Sequence, residues 1–365
     1  MEKFIPISKP SITQREIDYV NKAVQSGWVS SLGEYIDLFE QEFANYCGTK
    51  YAVSTSNGTN ALHLALVGLG INKDDEVIIP DLTFIATANS IKYIGAKVVT
   101  VDIQEDTLCI DPLEIEKAIT SNTKAIVPVH LYGHPAEMNK IKEIAIKHNL
   151  FVIEDAAEAH GAEVNGKKVG GLGDASIFSF YGNKIITSGE GGMITTSSEK
   201  LYYRIKNLRD HAMDKNKRYW HNQLGYNYRM TNLQAALGLA QFERIDEFLN
   251  KRKQIMDWYK NGLKNIQGIR LNYEASWAKN VYWMVCLEIE GYTEEMRNNL
   301  CKKLKSKGID SRPYFYPVSD MPMYLKVDTP VAHKVYKKGI NLPTYFDLTK
   351  SQVYFICELI RRIFN

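Results

Sequence analysis

The sequence predicts an α/β protein, with a large domain on a mostly parallel sheet followed by a smaller α+β C-terminal domain. Three observations carry that prediction. Short runs of β-branched and apolar residues alternate with segments of helical spacing from residue 51 to 196. Those runs are continuously apolar, as strands covered by helices on both faces are. After about residue 232 the alternation stops and long helical stretches take over. The chain has 365 residues, more than one hydrophobic core usually supports. Domains at 1–245 and 246–365 are therefore expected, with the N-terminal segment free to pack on the second.

Taken in order, helical spacing covers 13–26 and 36–46, and YAVSTS (51–56) reads as a strand. ALHLALVGLG (61–70) is helical, with Gly68 and Gly70 closing it. EVIIP (76–80), AKVVTVDI (96–103) and KAIVPVHL (124–131) are strands, separated by helices around 84–94, 111–120 and 136–148. FVIEDAAEAHGA (151–162) reads as a buried strand running straight into a helix. ASIFSF (175–180) and GGMITT (191–196) are strands joined by the polar loop YGNKIITSGE. Long helices then lead to a smaller mixed region containing YWMVCLEIE (282–290).

Composition narrows the function classes. Forty-five Lys and Arg against 42 Asp and Glu leave a net charge of +3, which gives no electrostatic reason to expect nucleic acid. The five cysteines (Cys47, Cys109, Cys286, Cys301, Cys357) are scattered and form no CxxC pair. Neither a disulfide framework nor a metal site is expected, and a reducing compartment fits. The N-terminus lacks the apolar core of a signal peptide, and no stretch approaches the roughly 20 apolar residues of a membrane span. A cytoplasmic protein with no membrane partner is the expectation.

Three features should meet beyond the carboxyl ends of the strands, where open parallel sheets bind ligands. Ser54-Thr55-Ser56-Asn57-Gly58-Thr59-Asn60 stands between a strand and a helix, where exposed backbone amides suit a phosphate. For this motif alone an ordinary N-cap turn is the favoured reading. Asp155 ends the apolar strand FVIED, where a carboxylate is costly unless it meets a cation or a protonated ring nitrogen. It could instead cap the following segment, and Glu158 and His160 share its turn. Lys184 lies in a glycine-rich loop between two buried strands; it is either solvent-facing or a pocket amine for Schiff-base chemistry. Together, a phosphate cradle, a carboxylate and an amine are the three handles that pyridoxal 5′-phosphate requires.

At these residues the chain resembles the DegT/DnrJ/EryC1/StrS aminotransferases, pyridoxal-phosphate enzymes of the aspartate aminotransferase-like fold (fold type I) that mostly aminate nucleotide-linked keto sugars. The resemblance runs through SGWVSSLGEYIDLFE (26–40), SNGTNALHLAL, PDLTFIATANSI, VIEDAAEAHGA, FSFYGNKIITSGEGGM and GYNYRMTNLQAALGLAQFERI, in the family's order. Within the family, MDKNKRYW (213–220), GYNYRMTN (225–232) and IDSRPYFYP (309–317) resemble the GDP-perosamine synthase group.

The resemblance implies that Lys184 holds the cofactor and later moves a proton, and that Asp155 pairs with its pyridine nitrogen. Gly58, Thr59 and Ser179 would bind the phosphate, Phe84 would stack on the ring, and Glu158 would lie near the phenolic oxygen. Asn227 would reach the phosphate of the neighbouring subunit, making a homodimer with shared active sites. Arg229, His221, Arg312 and Tyr316 would contact the donor or the acceptor. His221-Asn222-Gln223, ahead of GYNYR, departs from the apolar residues of that group. Relatives with histidine at the lysine position dehydrate their substrates, so Lys184 implies transamination. The expected reaction moves the amino group of L-glutamate to a keto sugar nucleotide, GDP-4-keto-6-deoxy-mannose at C4, for surface glycan synthesis. The alternatives are a UDP- or dTDP-keto sugar, a small phosphorylated ketone, or a non-catalytic regulator of the same fold.

Overall fold

The computed structural model describes residues 4–364. Two helices, α1 (Gln14–Gln25) and α2 (Glu34–Cys47), precede the main sheet. There follow β1 (Tyr51–Thr55), α3 (Gly58–Leu69), β2 (Glu76–Pro80), α4 (Ala86–Tyr93), β3 (Lys97–Val101), α5 (Pro112–Ala118), β4 (Thr123–Ile126), α6 (Met138–His148) and β5 (Phe151–Asp155). After the short β6 (Glu163–Val164) and β7 (Lys167–Lys168) come β8 (Ala175–Ser179), β9 (Gly192–Thr196), α7 (Glu199–Arg209), α8 (Asn232–Phe242) and α9 (Ile245–Leu263). The remainder is β10 (Ile269–Leu271), β11 (Ala278–Lys279), β12 (Val285–Ile289), α10 (Glu294–Ser306), β13 (Arg312–Pro313), α11 (Pro330–Lys338), β14 (Gly339–Leu342) and α12 (Lys350–Phe364).

The main sheet has seven strands in the order β1-β9-β8-β5-β4-β2-β3. Its pairings from β3 to β8 are parallel, and β9 runs antiparallel to both neighbours. Strand alternation explains why the runs are apolar throughout. On β2, Val77 and Ile79 join a core with Leu62, Leu66 and Ile205, whereas Ile78 joins one with Phe39, Phe43 and Ile141. A second, antiparallel sheet follows the order β10-β12-β14-β13. It packs with α9 and α12 around a third core containing Val285, Leu287, Met256 and Ile356. Ile5 exchanges backbone hydrogen bonds with Gly308 and Asp310, so the start of the chain lies on this second part.

Three local expectations need correction. KAIVPVHL (124–131) is strand only as far as Ile126. Residues 156–162 are turns rather than a helix. The Ala156 amide donates to the Ile177 carbonyl of β8, and Gly161 takes a left-handed φ of +84°, so helical backbone is interrupted at both ends. Gly68 does not close α3. It lies inside the helix where a Cβ would come 2.7 Å from Ile205, while Gly70 alone supplies the left-handed cap.

Candidate active site

The ends of β1, β2, β5 and β8 open on a cavity of about 500 Å³. Gly58, Thr59, Phe84, Asp155, Glu158, Ser179 and Lys184 all line it. Trp283 and Phe315 close it from the second part of the chain.

Its floor begins at the N-terminus of α3. Asn57 caps that helix by accepting from the Asn60 amide at 2.8 Å, and the first-turn amides of a helix have no partner within it. Gly58 lies so close to β8 that a Cβ there would stand 2.8 Å from Ser179 Cβ. The Asn57 carbonyl in turn lies where a Cβ on Gly192 would be, 2.5 Å away. Only glycines let this turn sit against the strands with its amides facing the cavity.

Asp155 ends β5. Its Oδ2 accepts from the Thr87 hydroxyl at 2.8 Å and its Oδ1 from the Ala157 amide at 3.2 Å. Burial pushes the carboxyl up, against those hydrogen bonds and the charge of Lys184. The expected helix cap does not exist, because no helix follows. Glu158 sits one turn on, its Oε2 accepting from the Tyr132 amide at 2.9 Å and its Oε1 3.7 Å from Lys184 Nζ. Burial raises its carboxyl to about 7, although Lys184 opposes the shift.

Lys184 is not solvent-facing. Its side chain is 12% exposed, and Nζ stands 4.2 Å from the centre of the Trp283 ring. Burial lowers its pKa, against the pull of Glu158 and Asp155. The loop that carries it is held at both ends, by Lys184 N–H donating to the Tyr181 carbonyl and Ser188 N–H donating to the Phe180 carbonyl. Phe84 is 54% exposed rather than a core residue, and its ring lies 5.7 Å from that of Phe315 across the cavity.

Other expected residues lie apart from these. His160 is fully buried between Phe178 and Phe180, and neither ring nitrogen has a protein partner. Burial holds it neutral, with a pKa lowered to about 3. Asn227 is exposed and accepts from Arg229 at 2.8 Å, and Arg229 also pairs with Asp210. His221 Nδ1 donates to the His211 carbonyl at 2.8 Å on an exposed loop. Arg312 pairs with Asp310 at 3.0 Å, and the Tyr316 hydroxyl donates to Glu294 at 2.9 Å. None of these six lines the cavity of its own chain; Phe315, between Arg312 and Tyr316, does. Thr87, Tyr132, Trp283 and Phe315 escaped the sequence reading. Thr87 alone carried a local signal, standing one helical turn after Thr83 at the end of an apolar strand.

The donor set fits pyridoxal phosphate. A glycine cradle with free helix-terminal amides, a buried carboxylate with unused acceptor capacity and a buried amine face one cavity. Residues 10–361 match the DegT/DnrJ/EryC1/StrS aminotransferase family. The chain belongs to that family. It is a pyridoxal-phosphate-dependent aminotransferase. It is 46% identical to the GDP-perosamine synthase of Escherichia coli O157:H7, over 100% of this chain and 99% of that one. It is 47% identical to the GDP-perosamine synthase of Caulobacter vibrioides, over 96% and 95%. Among solved structures, the PLP form of Spr1654 from Streptococcus pneumoniae superposes with a TM-score of 0.94 at 29% identity, over 99% of this chain and 98% of that one. S. venezuelae DesV in complex with a ketimine intermediate gives 0.92 at 33%, over 99% and 98%.

Proposed function

We propose that this aminotransferase moves the amino group of L-glutamate to C4 of GDP-4-keto-6-deoxy-mannose, in the cytoplasm, for surface glycan synthesis. The full-length likeness to two enzymes named GDP-perosamine synthase supports the acceptor. The five cysteines, all free, accord with a reducing compartment. Among the described residues no helix is long and apolar enough to cross a membrane. The observation that carries the reaction chemistry is the convergence of Lys184, Glu158 and Asp155 on one cavity.

In this reading pyridoxal phosphate supplies the electron sink for a carbon that loses its proton. Gly58 and Thr59 amides and the Ser179 hydroxyl would hold its phosphate. Asp155, oriented by Thr87, would keep its ring nitrogen protonated, and Phe84 would cover its ring. Lys184 is the amine that would hold it, and its Nζ, when free, would take a proton from the donor α-carbon. Glu158, whose Oε1 is 3.7 Å from Nζ, would lie near its phenolic oxygen. Burial of Lys184 supports this, because a desolvated amine gives up its proton more readily and is free to act as nucleophile and base at neutral pH.

The reading also includes a homodimer. Asn227 and His221 are exposed on their own chain, and they, with the half-buried Arg229, would serve the cavity of the other protomer. Arg312 and Tyr316 stay in the proposal as groups that a bound acceptor would draw away from Asp310 and Glu294. Residues 1–245 and 246–365 are proposed as two domains meeting at the cavity, supported by Trp283 and Phe315 facing residues 57–190 across it.

The test is a panel of GDP-, dTDP- and UDP-linked keto sugars and a phosphorylated ketone, each incubated with L-glutamate and the loaded enzyme. Formation of 2-oxoglutarate with a GDP-linked amino sugar, read by mass spectrometry, is the expected result. Turnover of another acceptor alone would replace the proposed one. Lys184→Arg keeps the charge without the nucleophile and should lower kcat by at least about 10³-fold. Near-normal turnover in that variant would remove Lys184 from its role.

A further inference from the structure

Trp283 does more than close the cavity. Its indole face lies over Lys184 Nζ, 4.2 Å from the ring centre. Its Nε1–H donates to the carbonyl of Asn183, the residue before Lys184, at 2.8 Å. Its own carbonyl accepts from the buried Arg252 of α9 at 2.6 Å. The side chain is 4% exposed and its ring lies nearly parallel to that of Tyr132. One residue therefore grips the loop through its N–H and meets the amine through its face, and α9 holds that residue in place.

The amine has few other partners. Glu158 Oε1, at 3.7 Å, is too far for a direct hydrogen bond. A buried ammonium whose nearest carboxylate lies beyond direct hydrogen-bond distance gains from a further contact, and an indole face supplies it through the ring quadrupole. Nζ thus rests between a carboxylate and an aromatic face while it carries no covalent partner.

We propose that Trp283 is a positioning residue for Lys184, forming with Glu158 a seat that receives the amine each time the reaction frees it. The proposal rests on the reading of Lys184 given above. Each half-reaction releases Nζ and then needs it back at the carbon that exchanges a proton. A lysine released into a cavity of about 500 Å³ can adopt several rotamers, and only those that reach that carbon serve the transfer. The seat selects one. Because the indole attracts the charged form, its hold is strongest just after Nζ has taken up the proton that it must next deliver.

Two substitutions separate the face from the N–H. Trp283→Phe keeps an aromatic face and loses the donor, while Trp283→Leu loses both. The first measurement uses the full chain without cofactor. Trinitrobenzenesulfonate labelling of Lys184 is followed by peptide mass spectrometry, with the exposed Lys200 as internal reference. Labelling should quicken by about fivefold or more in Trp283→Leu and stay within about twofold of wild type in Trp283→Phe, since the face both seats and shields the amine. The second measurement uses the loaded enzyme with α-deuterated L-glutamate. Trp283→Leu should lower kcat by about tenfold or more, leave KM within about threefold and enlarge the isotope effect, with Trp283→Phe recovering most of the loss.

Unchanged labelling in Trp283→Leu, or equal losses in both variants with an unaltered isotope effect, would reduce Trp283 to packing and overturn the proposal. Should Trp283→Leu fail to fold, Trp283→Met, which keeps bulk without an aromatic face, makes the same comparison. An active Lys184→Arg enzyme would overturn the role of Lys184, whereas the labelling result tests the seat in the absence of any reaction.

Discussion

Glu154 and Asp155 are consecutive on β5 and both buried, yet the two sides of the sheet treat them in opposite ways. Glu154 accepts from the amides of Gly170, Leu172 and Gly173, from the Ser176 hydroxyl and from His130 Nε2. The His130 ring is turned for this by the Ala136 amide, which donates to Nδ1. Burial by itself would raise the Glu154 carboxyl, but these partners hold it below its ordinary value. Asp155 accepts two hydrogen bonds, and burial leaves it raised. A carboxylate whose lone pairs are all met is finished structure. One left with acceptor capacity facing a cavity has been kept for a ligand.

The sharpest way to break this comparison is to remove each carboxylate and read stability and turnover separately. Glu154→Ala should cost about 3–5 kcal/mol of stability in urea unfolding, because it strands three amides and His130. Asp155→Asn should leave the cofactor-free chain as stable as wild type or more so, and lower kcat by about 10²-fold or more. If Asp155→Asn unfolded while Glu154→Ala stayed stable, the contrast would be reversed.

A smaller effect tests the satisfied side elsewhere. Glu16 on α1 is buried, which raises its carboxyl, but hydrogen bonds from Thr13, Arg244 and Gln241 bring it down to about 2. An unfolded Glu titrates near 4.5, so this stability is complete above that pH and is lost as pH falls toward 2. Glu16→Gln should cost about 2 kcal/mol at pH 7 and flatten the acid limb between those values. An unchanged acid limb would show that other carboxylates set it.

The smallest effect has the opposite sign. Glu158 titrates near 7 in the folded chain and 4.5 when unfolded. Its contribution is complete below 4.5 and is lost as pH rises through 7. In cofactor-free protein the melting temperature of wild type should therefore fall relative to Glu158→Gln by about 2–4 °C between pH 5 and 8. Parallel curves would place Glu158 with Glu154, as a satisfied group.

Much of the fold was legible because its signals are local. The strand runs at 51–56, 76–80 and 175–180 and the helices at 13–26, 36–46 and 136–148 appear close to their expected bounds. Each depends on spacing within a dozen residues. The errors arose where a distant partner decided. AAEAHGA has helical composition, but its first amide is taken by β8. KAIVPVHL is regular strand for only part of its length, because Pro128 has no amide to donate and pairing with β5 resumes only as the Val129–Asp155 bridge. The continuous apolar runs signalled a covered sheet without distinguishing the direction of β9.

The candidate site divides in the same manner. Asp155, Lys184, Gly58 and Thr59 stood out as polar or glycine residues at the ends of apolar runs, where burying them needs a reason. Their partners did not. Thr87 is 68 residues from Asp155 and Trp283 is 100 from Asn183, and nothing near either residue points to its partner. By itself the sequence determined which groups must be carried to the strand ends and the kind of chemistry they suit. Sheet order and the return of the chain across the cavity decided which neighbours orient those groups and how far their charges shift. Propensity and periodicity act over a few residues, whereas hydrogen bonding and desolvation depend on what the closed fold brings within a few ångströms.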